Sequence, residues 1–89
     1  MKISKEQEEI IINSGVFGYD AEKLANILDI EPELIKEQFK DNNSEITKLR
    51  KKGVDKADYV LDLKLFEMAQ SGDMKAMDKL NYRRKNRVK

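Results

Sequence analysis

Leu24-Ala25-Asn26-Ile27-Leu28-Asp29-Ile30-Glu31-Pro32-Glu33-Leu34-Ile35 is the stretch whose reading decides the fold. Leu24, Ile27 and Leu28 recur at helical spacing, with Ala21 and Ala25 beside them, so the stretch predicts a helix on one apolar face. Asp20 supplies an N-cap, and Asp29-Ile30-Glu31 breaks the pattern. Pro32 fits the first turn of a second helix, where its missing N–H costs nothing. That helix carries Leu34, Ile35 and Phe39 and loses its pattern at Asp41-Asn42-Asn43. Two short helices, a small residue (Ala25) where they cross, and apolar Leu24, Leu28, Ile30 and Ile35 to close a small core fit a helix-turn-helix. Asp29 stands where the turn favours Gly, and Asp tolerates the left-handed conformation better than most residues. The competing reading is an ordinary helical hairpin packed on the preceding helix.

Working outward toward the N-terminus, Ser4 and Gln7 have the spacing of a capping box. The helix they open contains Ile10, Ile11 and Ile12 and is expected to stop at Gly15. Val16-Phe17-Gly18-Tyr19 then reads as an apolar connector. The expected core of this first unit is Ile10, Phe17, Leu24, Leu28, Ile30, Ile35 and Phe39.

Toward the C-terminus, Ser44 caps the longest segment, in which Ile46, Leu49, Gly53, Ala57, Val60, Leu61, Leu65 and Met68 recur every three or four residues. Gly53 either kinks or ends this helix, or lets another helix approach closely. From Tyr59 onward a second stripe of Tyr59, Leu63 and Phe66 appears, and a helix apolar on two faces offers the spare one for self-association. Gln70-Ser71-Gly72 ends the segment. Asp73 caps a last helix bearing Met74, Ala76, Met77 and Leu80, whose methionines read as core filler. The expectation is an all-α chain. A three-helix helix-turn-helix unit (residues 1–43) precedes a long helix and a C-terminal helix that form an antiparallel hairpin (residues 44–89) with a fraying basic tail.

Composition narrows the chemistry. The 89 residues include no Cys and no His, which excludes disulfides, thiolate or imidazole zinc sites, and mechanisms using a His base or Cys nucleophile. No apolar run approaches a membrane span, and Met1–Lys5 leads straight into Glu6, Glu8 and Glu9 rather than an apolar signal segment. No Gly-rich phosphate loop is present, and Asp58 and Asp62, at i and i+4, read as solvated surface. These features predict an intracellular, non-enzymatic helical protein without metal or cofactor.

The net charge of +1 conceals a strong polarity. Residues 1–43 hold five Lys against ten acids, whereas residues 44–89 hold thirteen Lys or Arg against seven acids. Clustered cations attract polyanions by releasing condensed counterions. Lys48, Arg50, Lys51 and Lys52, then Arg83, Arg84, Lys85 and Arg87, are therefore candidate phosphate contacts on double-stranded DNA. Lys36, Gln38, Lys40, Asn42 and Asn43, on and after the second helix of the motif, are candidates for base contacts, since Asn and Gln pair bidentately with adenine. Glu31, Glu33 and Glu37 lie on that same helix and repel phosphate.

Gly18-Tyr19-Asp20 leading into Leu24-Ala25, then Leu28-Asp29-Ile30 and Ile35, then a long charged helix, resembles the small terminase subunits of tailed bacteriophages. Leu65-Phe66-Glu67-Met68-Ala69-Gln70-Ser71-Gly72-Asp73-Met74-Lys75-Ala76 is similar to a segment seen in many of them, and the likeness runs from about residue 15 to 85. The resemblance implies a non-enzymatic DNA-packaging protein of the bacterial host cytoplasm, encoded by a phage or prophage. It also implies a homo-oligomer built on the long helices, which delivers viral DNA to the large terminase subunit. Two other readings share these residues: a small dimeric helix-turn-helix transcription regulator, and a helical protein–protein adaptor that does not bind DNA.

Overall fold

The computed structural model describes residues 2–87, and all of its regular structure is helical: α1 (Lys5–Phe17), α2 (Ala21–Leu28), α3 (Pro32–Lys40), α4 (Glu45–Gln70) and α5 (Met74–Arg87). Four of the five helix starts are set by side chains that satisfy otherwise orphaned backbone donors. Ser4 Oγ accepts the Gln7 N–H (3.1 Å), and Gln7 Oε1 accepts the Ser4 N–H (3.0 Å). Asp20 Oδ1 accepts from Lys23 N–H, Ser44 Oγ from Thr47 N–H, and Asp73 Oδ1 from Ala76 N–H. The remaining start, that of α3, has Pro32 in its first turn and no side-chain cap.

The chain divides into two compact units, Met1–Ala57 and Asp58–Lys89. The division falls inside α4, well beyond the charge boundary at residues 43 and 44. The first half of α4 belongs with the N-terminal helices because Ile46 is buried in their core and Leu49 packs against it.

In the first unit Ile11, Leu24, Ala25, Leu28, Ile35 and Ile46 form one buried cluster, flanked by Ile3, Ile10, Ala21, Ile30, Phe39 and Leu49. Each large aliphatic side chain buried there contributes about 1.5–3 kcal/mol relative to leaving it in water. Two sequence expectations need correction here. α1 does not stop at Gly15 but runs on through Val16 and Phe17, and the left-handed residue that ends it is Gly18 (φ 72°). Phe17 is accordingly not core: it is 62% exposed and its ring lies 5.5 Å from that of Tyr19. The side chain buried at the centre of α1 is Ile11.

Gly15 is instead buried where α1 packs on α4, opposite Gly53. A Cβ on Gly15 would collide with the Arg50 carbonyl oxygen, and one on Gly53 with the Ile12 carbonyl oxygen. Gly53 therefore does not end α4, which runs on to Gln70. Its conformational cost in a helix, about 1 kcal/mol relative to Ala, is offset by backbone-to-backbone approach. Between α2 and α3, Asp29 alone among described non-Gly residues has positive φ (56°), and the Ile30 N–H donates to the Ala25 carbonyl (3.0 Å).

Among the described hydrophobic residues of the second unit, Leu65 and Ala76 are the buried ones. α5 is helical past Tyr82 as far as Arg87; Val88 and Lys89, which belong to the tail expected to fray, lie outside the described residues. Arg84, Lys85 and Arg87 sit in its last turn, where cations are favoured by the carbonyl end of the helix dipole.

Candidate nucleic-acid interface

Three sets of cations were legible in the sequence, and the structure gives them different surroundings. On α4, Lys48, Lys51 and Lys52 stand at i, i+3 and i+4 and are all exposed. None forms an ion pair among the described residues. They make one solvated, cation-rich face on the first unit, with Lys56 a turn further on, and the exposed acids Glu45 and Asp55 stand on that same face.

Arg50, between them, points elsewhere. Its Nη2 donates to the Tyr19 carbonyl (2.9 Å), and its guanidinium carbon lies 4.9 Å from the centre of the Phe39 ring. Its Nε is buried without a hydrogen-bond partner. The half-buried Arg50 guanidinium thus ties the α1–α2 connector to α4 and stacks on an aromatic face, unlike its exposed lysine neighbours.

The set on and after α3 is mixed in sign. Lys36 Nζ lies 3.5 Å from Glu33 Oε1, one turn away, in an exposed pair. Lys40 is exposed, and so are Glu31 and Glu37. Gln38 is half-buried, and its backbone carbonyl accepts hydrogen bonds from Thr47 Oγ1 (2.6 Å) and Ser44 Oγ (2.8 Å). That arrangement joins the end of α3 to the start of α4. Asn42 and Asn43 are exposed in the intervening turn, where the Asn43 N–H donates to Asp41 Oδ1 (2.9 Å).

The third set splits along α5. Arg83 Nε donates to Asp62 Oδ1 (2.6 Å) and Arg83 Nη2 to Asp58 Oδ1 (3.2 Å), while Arg87 Nη1 lies 2.6 Å from Asp62 Oδ2. Hydrogen bonds from Arg87 and Arg83 hold the Asp62 carboxyl below its ordinary value of 3.8, and the Arg83 guanidinium is raised by its bond to Asp62. Asp58 and Asp62, read from sequence as solvated surface, are thus the partners of half the terminal basic cluster. The signal that could have found them is matched spacing: acids at i and i+4 on one helix, arginines at i and i+4 on the next. Arg84 and Lys85 remain exposed, with no ion pair among the described residues.

Tyr59, Leu63 and Phe66 share one face of α4 in the second unit and are 66%, 42% and 49% exposed. Among the described residues no group of three or more acidic side chains is placed to hold a metal ion, and no helix is long and apolar enough to cross a membrane. No protein-family model matches the chain, and neither a curated protein nor a solved structure matches it.

Proposed function

We propose that this chain is a non-enzymatic DNA-binding protein that works as a homo-oligomer, similar in role to the small terminase subunits of tailed phages. In this reading α2 and α3 are the helix-turn-helix, with Asp29 as its left-handed turn residue. The second half of α4 and α5 form the hairpin through which subunits join.

The observation that carries the reading is the poverty of the second unit's interior. Below about 40 residues a unit rarely holds itself together by its own core. Here Leu65 and Ala76 are buried while Tyr59, Val60, Phe66 and Met74 are half to two-thirds exposed. A second copy covering Tyr59, Leu63 and Phe66 supplies the missing burial. Assembly also repeats the exposed Lys48, Lys51 and Lys52 face, so that individually weak phosphate contacts add through multivalency. Delivery of DNA to a large terminase subunit in a bacterial host completes the proposal.

The acidic outer side of α3 supports one further reading. Glu31, Glu33 and Glu37 surround Leu34, which is 47% exposed, and that chemistry suits a protein partner better than phosphate. In the adaptor reading the same fold binds protein and ignores DNA.

Native mass spectrometry of the purified chain, with and without duplex DNA, tests both. A ring of many subunits that takes up duplex supports the packaging role, and a DNA-binding dimer favours a transcription regulator. A monomer that ignores duplex at low salt removes the proposal and leaves the adaptor. Within the first outcome, replacing Lys51 and Lys52 by Glu should weaken binding and reduce the salt slope by about two ions. An unchanged slope would take that face out of the interface.

A further inference from the structure

Tyr82 is 70% exposed near the middle of the most basic helix of the molecule. Its ring has no aromatic partner among the described residues and lies under no described cation, unlike the rings of Phe39 and Tyr19. Tyr82 stands at the rim of α5, bordering on one flank the surface it shares with Leu61, Leu65 and Arg83. Arg83 and Arg87 are bound to Asp58 and Asp62, and Ala76 is buried on that same inner face. Their engagement leaves Asp78, Asn81, Tyr82, Arg84 and Lys85 lining one open outer surface. Asp78, Asn81, Tyr82 and Lys85 stand at i, i+3, i+4 and i+7, so they form a single stripe.

We propose that this outer surface is a platform for unpaired nucleotides: a base stacks on Tyr82, Lys85 on the same stripe holds an adjoining phosphate with Arg84 beside it, and Asn81 and Asp78 meet the edge of the base. The ring is what selects this ligand over duplex. In a duplex the base faces are stacked on one another, so an exposed aromatic gains little from it, whereas a splayed base offers its whole face. The charge order along the stripe gives the strand a direction of approach. Asp78 repels phosphate at the N-terminal end and accepts from an exocyclic amino group, while Arg84 and Lys85 attract phosphate at the C-terminal end. The proposal is independent of the Lys48, Lys51 and Lys52 face and of duplex binding there.

Fluorescence anisotropy at low salt tests it with the full chain. The labelled probes are an unstructured 20-nucleotide DNA, the RNA of the same sequence, and the corresponding DNA duplex. The wild-type chain should bind at least one of the single strands, and the stronger of the two identifies the source. Tyr82→Ala should weaken that binding about tenfold or more while leaving duplex affinity unchanged, and Tyr82→Phe should retain it. Circular dichroism of each variant checks that α5 is intact.

Equal losses for single strand and duplex on Tyr82→Ala would mean that the ring does not stack, and the proposal falls. Undiminished single-strand binding by Tyr82→Ala also overturns it, as does a change in subunit number with single-strand affinity preserved. Duplex binding without single-strand binding defeats this proposal alone, whereas single-strand binding without duplex binding defeats only the duplex-packaging reading.

Discussion

The two units of this chain are held together by different physics. Met1–Ala57 encloses Ile11, Leu24, Ile35 and Ile46 almost completely and brings α1 and α4 into backbone contact through Gly15 and Gly53. Asp58–Lys89 buries Leu65 and Ala76 and relies on a cluster of ion pairs, Arg83 and Arg87 with Asp58 and Asp62. Close packing gains from dispersion and from excluded water and depends little on salt. Partly exposed ion pairs are worth little singly and are screened by salt. The first unit carries its own stability, while the second has apolar surface to share.

The largest effect is expected at the helix crossing. Gly53→Ala gains about 1 kcal/mol of helix propensity but drives a Cβ into a backbone carbonyl, which cannot turn aside as a side chain can. Forced separation of α1 and α4 should outweigh that gain and lower the thermal midpoint by many degrees, as followed by circular dichroism. A midpoint equal to or above the wild-type value would show that the crossing is not close.

The contrast in packing is sharpened by two truncations. Ile35→Ala empties a fully enclosed position and should cost about 3 kcal/mol in denaturant unfolding. Leu65→Ala, in a unit where Ala76 is the other buried hydrophobic residue described, should cost less in the same measurement. Equal losses would erase the distinction between the units.

The smallest effect concerns acid. Asp62 is held below 3.8, so its ion pairs add stability above that value and lose it as pH falls from 3.8 through the depressed value. Asp62→Asn should therefore reduce helicity or its resistance to salt at neutral pH and match the wild type at strongly acid pH. A difference that persists undiminished below the depressed value would assign the effect to packing rather than charge.

Much of the local structure was legible in the residues. Ser4 with Gln7, Asp20, Ser44 and Asp73 announced four helix starts, because capping is a contact between residues three apart. Pro32 and the break at Asp29–Glu31 located the α2–α3 turn. The misreadings came where a residue type has two uses. Gly15 looked like a helix stop because Gly is favoured after a C-terminus, and nothing local distinguishes that role from close approach to a helix nearly forty residues away. Phe17 looked like core because aromatics usually are. The different surroundings of Arg50 and its lysine neighbours were not legible either, because charge alone does not reveal which face of a helix is occupied.

By itself, the order of residues determined that this protein is helical, where most helices begin, and that its cations gather in the second half of the chain. These follow from interactions spanning a few residues, which any window of sequence contains. Only the tertiary structure decided which cations face solvent, that Gly53 marks a crossing rather than a break, and that Asp58 and Asp62 anchor the basic end of α5. Those outcomes depend on which helix faces meet, and that is set by the best burial available to the whole unit rather than by any segment of it.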